Sequence, residues 1–476
     1  VFDSIHEECG IFGIRRPVRA KVAASAYYAL YALQHRGQES CGIAVNNNGL
    51  IKCYSDVGLV SDVFNERVLN ELGEGTMAIG HTRYSGSSAR VNCQPLVVRH
   101  IKGPMAIAHN GAISNSSKLK KELELSGAIF HTTSDSEIIS HVITRSRLTE
   151  PSIEQSIEKA MYQLEGAYSM IIMSPRKMIA VRDPNGFRPL CMGRLEDGSI
   201  IFASETCALN TLGAQWERDI EPGEIVVLDE NGMRSITTHC NTKEHGLCVF
   251  EFVYFARPDS VVDGASVHAA RMKAGELLWK EHPVEADVVI GVPDSGLDAA
   301  LGLAHASGIP YGVGLIKNRY IGRTFIQPTQ GEREQLVRIK LNVLGETIKG
   351  KRVIMVDDSI VRGTTSANIV KLLRAAGAKE VHMRISCPPF IRPCYFGTDI
   401  DSTDKLIACR MSIPEIAEQI GVDSLGYLSL EGVKQIAKTD KCKFCTGCFT
   451  GEYPIPTPES PEVDKFSHEI PQIING

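Results

Sequence analysis

The residues best suited to chemistry lie in Val353-Ile354-Met355-Val356-Asp357-Asp358-Ser359-Ile360-Val361-Arg362-Gly363-Thr364-Thr365. Four apolar residues run into two adjacent acids, and Gly363-Thr364-Thr365 opens a segment where Ile369, Val370 and Leu373 recur at helical spacing. That pattern predicts strand, loop and helix. Paired carboxylates at a strand end, beside a helix N-terminus whose free N–H groups favour anions, suit a ligand carrying hydroxyls and phosphate together. A ribose 5-phosphate derivative is such a ligand. A second chemical signal is Cys442-Lys443-Phe444-Cys445-Thr446-Gly447-Cys448, whose C-x2-C-x2-C spacing puts three thiols within seven residues. In a reduced protein such thiols are metal ligands, either of a zinc site completed from elsewhere or of an iron-sulfur cluster.

The elements that must position these groups follow from periodicity. Asp287-Val288-Val289-Ile290-Gly291 leads into the polar loop Pro293-Asp294-Ser295-Gly296, and Val381, Met383 and Ile385 alternate as a strand after the Asp357 helix. Strand-helix-strand repetition predicts a parallel sheet with helices on both faces. Earlier in the chain, Cys9 starts a strand, and Tyr27, Leu30, Tyr31 and Gln34 predict a helix ending at His35-Arg36-Gly37. Apolar runs end in Gly80-His81-Thr82-Arg83-Tyr84 and His109-Asn110-Gly111, and Ser134-Asp135-Ser136-Glu137 reads as a capping box worth about 1 kcal/mol. Four short runs, at 170–173, 178–181, 200–203 and 225–228, predict a second antiparallel sheet. The polar stretch 230–247 suits a domain boundary, and the proline-rich residues 453–476 a loose tail.

At 476 residues the chain calls for two domains or three. It is 43% hydrophobic and 22% charged with a formal charge of −5, which gives no electrostatic case for nucleic acid or membrane as a partner. No apolar run approaches the roughly 18 residues of a membrane helix, and no basic-then-apolar leader opens the sequence. A reducing, cytoplasmic setting is expected. Most of the 14 cysteines, such as Cys53, Cys191 and Cys207, sit singly in apolar stretches and are expected to be buried thiols.

The stretch around Asp357 and Asp358 resembles the phosphoribosyl pyrophosphate (PRPP) loop of type I phosphoribosyltransferases. The resemblance implies that these acids reach the ribose hydroxyls, and that Arg362, Gly363, Thr364 and Thr365 hold the 5-phosphate. It also implies that Ser295, with Asp357 and Asp358 acting mainly through hydroxyls or water, lies near a magnesium ion. A hard cation suits a diphosphate leaving group. Lys317, Arg319 and Tyr320, in a cationic segment made pliable by Gly322, match the family's mobile loop.

In the N-terminal half, Glu8-Cys9-Gly10, Leu33-Gln34-His35-Arg36-Gly37-Gln38-Glu39, Gly80-His81-Thr82-Arg83-Tyr84, His109-Asn110-Gly111 and Ser134-Asp135-Ser136-Glu137 together resemble the N-terminal-nucleophile glutaminase domain. That family removes whatever precedes its cysteine. The freed α-amino group, of pKa about 7.7 to 8.0, is poised to take a proton from a thiol of pKa about 8.5. The resemblance implies that Cys9 is the nucleophile, that Asn110 and Gly111 form the oxyanion hole, and that Arg83 and Asp135 bind the carboxylate and ammonium of glutamine. Ser85-Gly86 departs from the Ser-Thr that usually follows Arg-Tyr in relatives.

With both halves matched, the chain resembles the glutamine PRPP amidotransferase family over roughly residues 9–451. The implied layout is a pro-segment, 1–8; an α+β glutaminase domain of αββα sandwich form, 9–240; an α/β phosphoribosyltransferase domain with its parallel sheet flanked by helices, 241–452; and a tail, 453–476. The implied reaction hydrolyses glutamine at Cys9 and passes ammonia internally to PRPP, giving 5-phosphoribosylamine, glutamate and pyrophosphate, the first committed step of purine synthesis. Implied cofactors are magnesium and a 4Fe-4S cluster held by Cys248, Cys394, Cys445 and Cys448, with Cys442 unassigned. Implied partners are glutamine, PRPP, purine nucleotide inhibitors and further copies of the chain in a homodimer or homotetramer. Two rival readings are the same glutaminase coupled to a sugar-phosphate isomerase, against which the acids and Gly-Thr-Thr argue, and a PRPP-sensing regulator, which would have no use for Cys9.

Overall fold

A computed structural model describes residues 9–84, 90–318, 341–400, 402–438 and 443–458. The pro-segment 1–8, Ser85-Gly86, Arg319, Tyr320 and Cys442 lie outside the described residues.

Continuous and alternating apolar runs in the N-terminal half build two antiparallel sheets. Seven strands are ordered 215–219, 191–194, 200–203, 10–20, 75–83, 40–47 and 50–57; six are ordered 232–236, 225–229, 178–182, 166–173, 103–113 and 96–100. Their facing sides bury Ile11, Ala44, Ile79, Ala108, Ile171 and Phe202 in one layer. Helix Val22–Ala32 covers the outer face of the first sheet, and helices Ser116–Leu125, Asp135–Arg147 and Ile153–Met161 cover the second. The result is the expected αββα sandwich. Sheets pack this way because each strand exposes alternate residues to either side, so a two-sided sheet needs an apolar cover on both.

Beyond it, four parallel strands run in the order Val288–Gly291, Arg352–Asp357, Glu380–Ile385 and Ser424–Tyr427. Val289 pairs in register with Ile354, and Ile354 with His382. Helices Val267–Glu281, Gly296–Ser307 and Thr364–Ala375 join these strands in one apolar core. Strands buried on both faces explain why Val353–Asp357 and Val381–Ile385 are buried at every position, including His382 and Arg384.

Several expectations are corrected. Run 200–203 joins the first sheet rather than the second, because it pairs with Phe12–Arg15. Within the polar stretch 230–247, Gly232–Ile236 is an exposed edge strand paired with Ile225–Asp229; a short polar strand at a sheet edge carries little apolar signal. The first helix buries Val22, Ala23, Ala26, Ala29 and Leu30 and exposes Tyr31, so small residues rather than tyrosines make its inner face. The helix at Asp135 begins as expected, but its box is not reciprocal: the Ser134 hydroxyl accepts from Ser136 N–H, while Glu137 accepts from His131 and Thr132 N–H. Cys191 and Cys207 are buried, whereas Cys53 is exposed on an outer hairpin. Finally, Tyr453 and Ile455 are not loose but pack with Phe187 and Phe396 where the two halves meet.

Candidate active sites

The strand end at Asp357 opens into a cleft of about 440 Å³. Asp294, Ser295, Lys317, Asp357 and Asp358 line one part of it, and Gly363 and Thr365 another. Arg362 and Thr364 belong to the same turn but do not line the cleft. Gly363 caps helix Thr364–Ala375 at φ +86°, a conformation that side chains rarely adopt and that lets the chain turn sharply from the acids into the helix. Its first-turn N–H groups therefore sit at the cleft beside the carboxylates.

Both acids are buried. Burial, then the charge of its neighbour, pushes the Asp357 carboxyl well above the usual range; burial also raises Asp358, offset by hydrogen bonds from the Ser295 and Ser359 hydroxyls. Ser295 Oγ donates to Asp358 Oδ2, and Ser359 Oγ to Oδ1 at 2.5 Å. Lys317 Nζ lies 2.7 Å from Asp294 Oδ2 in a solvent-exposed pair. Two adjacent shielded carboxylates, of which Asp358 also feels the Arg271 guanidinium, form a site that gains from a ligand bringing a cation and hydroxyl donors.

Cys9 lies at the head of strand Gly10–Ala20, with its Sγ 4.0 Å from Tyr84 O. On the neighbouring strand, His81 pairs with Ile11, and its ring reaches across the two sheets to His109 O at 3.0 Å. Burial lowers the His81 imidazole to about 3, so it stays neutral. Asn110 follows His109, and both ends of its amide are buried without a hydrogen-bond partner among the described residues. An amide buried in that condition is costly unless a ligand completes it. Gly111 has φ +130°, and a Cβ there would stand 2.2 Å from Ala167 O, so only glycine lets the chain pass. Arg83 is buried, unlike a surface ion-pair residue, and donates to Asn92 O at 3.0 Å. Asn92 in turn exchanges two bonds with Thr133, next to the Ser134–Asp135 helix start. Asp135 Oδ2 accepts from Ile113 N–H at 2.8 Å, which ties that start to the Asn110 strand. The structure thus brings Arg83 and Asp135 to one neighbourhood by way of Asn92.

Residues 81–211 match the glutamine amidotransferase domain family, and residues 265–422 the phosphoribosyl transferase domain family. The chain is 52% identical to the amidophosphoribosyltransferase of Synechocystis sp., over 98% of this chain and 95% of that one. It is 50% identical to the amidophosphoribosyltransferase of Methanocaldococcus jannaschii, over 94% and 97%. The chain belongs to the amidophosphoribosyltransferase family. Among solved structures, it is similar to the allosteric regulatory enzyme of purine biosynthesis (TM-score 0.91, 44% identity, 97% of this chain and 99% of that one). It is similar too to the glutamine PRPP amidotransferase of B. subtilis complexed with ADP and GMP (TM-score 0.88, 45% identity, 96% and 99%). The glutamine amidotransferase domain precedes the phosphoribosyl transferase domain, and the chain is a glutamine-dependent pentosyltransferase with a glutaminase domain.

Cys248, Cys394, Cys445 and Cys448 come near one another where the halves of the chain join. Strand Leu247–Cys248 runs parallel to Phe444–Cys445, pairing Cys248 with Cys445; Cys448 O accepts from Ile391 and Arg392 N–H, close to Cys394. All four thiols are free. Burial, then the other thiols of the set, pushes Cys448 well above its ordinary range. Among the described residues no group of three or more His, Cys, Asp or Glu stands at metal-binding geometry. Four half-buried thiols in one neighbourhood nevertheless fit the soft donor set of an iron-sulfur cluster or zinc.

Sequence reasoning missed residues that line the cleft from elsewhere. His35 and Gln38 reach it from the glutaminase half, Tyr254 and Arg257 from the segment ahead of helix Val267–Glu281, and Arg271 from that helix itself. It gave no part in either site to the fully buried Arg36, Arg188, Glu205 and Glu251. Only adjacency could have hinted at the first pair, since His35 and Gln38 flank the Arg36-Gly37 turn.

Proposed function

We propose that Cys9 is the glutaminase nucleophile, freed by removal of residues 1–8 so that its own α-amino group accepts the thiol proton. Its sulfur attacks the side-chain amide carbon of glutamine, ammonia leaves as the carbon–nitrogen bond breaks, and water hydrolyses the thioester to glutamate. Asn110 Nδ2 and the Gly111 N–H stabilise the oxyanion, while Arg83 and Asp135 hold the substrate's carboxylate and ammonium. The observation that carries this reading is the buried Asn110 amide without a partner among the described residues.

In the second half, Asp357 and Asp358 take the ribose hydroxyls of PRPP, and Arg362, Gly363, Thr364 and Thr365 take its 5-phosphate. Lys317, Arg319 and Tyr320 close over the ligand. Ammonia displaces pyrophosphate from the ribose C1, and since ammonium has no lone pair, its path must exclude water. Magnesium near Ser295, Asp357 and Asp358 would neutralise charge on the departing diphosphate. The raised carboxyl of Asp357 supports this, because burial has left the pair needing a cation. Cys248, Cys394, Cys445 and Cys448 would hold a 4Fe-4S cluster that ties the two halves together. Division into domains at 9–240 and 241–452, a homodimer or homotetramer, purine nucleotide inhibition and a cytoplasmic setting complete the proposal.

The test is a mass balance on natively produced protein. Glutamate and pyrophosphate should form in equal amounts, together with iron and acid-labile sulfide in the purified chain. Glutamate release that proceeds equally well with residues 1–8 attached would overturn the nucleophile assignment, and zinc in place of iron the cluster.

A further inference from the structure

Four of the buried charged residues outside both constellations, Arg36, Arg188, Glu205 and Glu251, form one cluster between them. Arg36 donates through Nη1 to Glu205 Oε1 at 2.6 Å and through Nη2 to both oxygens of Glu251 at 2.9 and 3.0 Å. Its remaining Nε–H reaches the main-chain oxygen of Cys9 at 3.1 Å. Two carboxylates thus hold a planar guanidinium so that its third edge is aimed at the residue bearing the nucleophile. Arg188 completes the cluster, bonding Glu251 Oε1 at 3.2 Å and Thr398 Oγ1 at 3.1 Å.

Glu205 divides its two oxygens between the two sites. Oε1 meets Arg36 and, at 2.7 Å, His35 Nε2; Oε2 accepts the Arg257 main-chain N–H at 2.9 Å and the Ser260 hydroxyl at 2.7 Å. Arg257 and His35 line the cleft, and Glu251 opens the helical turn Glu251–Phe255, whose Tyr254 and Phe255 line it too. Glu205, Arg36 and Glu251 are wholly shielded from solvent. In such a place a displaced hydrogen bond cannot be replaced by one to water. A shift of the cleft lip must therefore be passed on through the cluster, or else leave a buried charge without its partner.

We infer that Glu205 is a positioning residue shared by both sites. It sets the main chain at Cys9 through Arg36, and the lip of the cleft through Ser260 and the Arg257 amide, so that occupancy of the cleft is felt at the nucleophile. The inference rests on the reading of Cys9 and the cleft given under Proposed function.

Ser260→Ala removes one donor to Glu205 Oε2 and touches neither catalytic constellation. With ammonia as the nitrogen source, PRPP consumption should stay within about two-fold of wild type. With glutamine, the stimulation of hydrolysis by PRPP should fall about five-fold or more, as a loss in kcat rather than a rise in KM. Ser260→Thr, which keeps the hydroxyl, should restore it. Glu205→Gln, whose amide nitrogen cannot accept a hydrogen bond, should lower the stimulation further; should it fail to fold, the serine variants carry the test alone. A folded Ser260→Ala protein with undiminished stimulation overturns the inference, as does an equal loss in the ammonia-dependent reaction. Wild-type enzyme that turns over glutamine without regard to PRPP likewise overturns the inference, whereas a Cys9→Ala chain that still hydrolyses glutamine would remove the reading beneath it.

Discussion

The two sites bury charge in opposite ways. At the cleft, Asp357 and Asp358 are shielded side by side, and burial drives their carboxyls upward. Near Cys9, shielding is just as complete, but every charge is matched. Burial alone would raise the Glu205 carboxyl, yet His35 and Arg36 hold it below the usual range, and Arg36 in turn is raised by Glu251 and Glu205 despite its own burial. An unmatched pair is a binding site waiting for its cation, whereas a matched cluster is a fixed part of the frame.

Substitutions can separate these roles. The largest effect belongs to Cys9→Ala, which should cut glutamine-dependent product by about 10⁴-fold or more and leave ammonia-dependent PRPP use intact; parallel loss of both would merge the two sites into one. Next is Arg36→Leu, which takes the shared cation from Glu205 and Glu251, leaving them His35 and Arg188, and should cost about 3–5 kcal/mol in urea unfolding. Retained stability would show that the cluster is not the frame. Asp357→Asn should lower kcat/KM for PRPP by roughly 10²-fold with either nitrogen source. Because a raised carboxyl makes ionisation cost folding stability as pH climbs above the unfolded value of about 3.9, the same variant should unfold a few degrees higher at neutral pH. A lower melting point would mean that the pair is already compensated. The smallest effect is in protons. PRPP with magnesium must find the pair ionised, so binding should release protons in calorimetry across buffers, and affinity should weaken as pH falls through the raised range. Binding without proton release would contradict the upward shift.

The same contrast explains what could be read beforehand. The acids, the glycine turn and the helix start of the cleft lie in one unbroken stretch, where strand periodicity and turn chemistry act locally, so their arrangement was legible from residue order. The glutaminase site draws on five segments brought together by sheet pairing, and only its likeness to a known family joined them in advance. Nothing in residue order joined Arg36, Glu205 and Glu251 into one cluster. A charged residue in sequence looks the same whether it faces water or a partner from across the fold, and register alone decides which. The run at 200–203 failed for a related reason, since an apolar strand carries no mark of which sheet it will join.

The parallel pairing of Leu247–Cys248 with Phe444–Cys445 bears on the order in which the protein can be made. Cys248 emerges from the ribosome long before its partner strand, so the seam holding Phe187 against Phe396 must wait, unsewn, for nearly the whole polypeptide to be synthesised. A nascent chain halted before Phe444 would carry a finished first domain and an open apolar edge, a natural target for chaperones until translation ends.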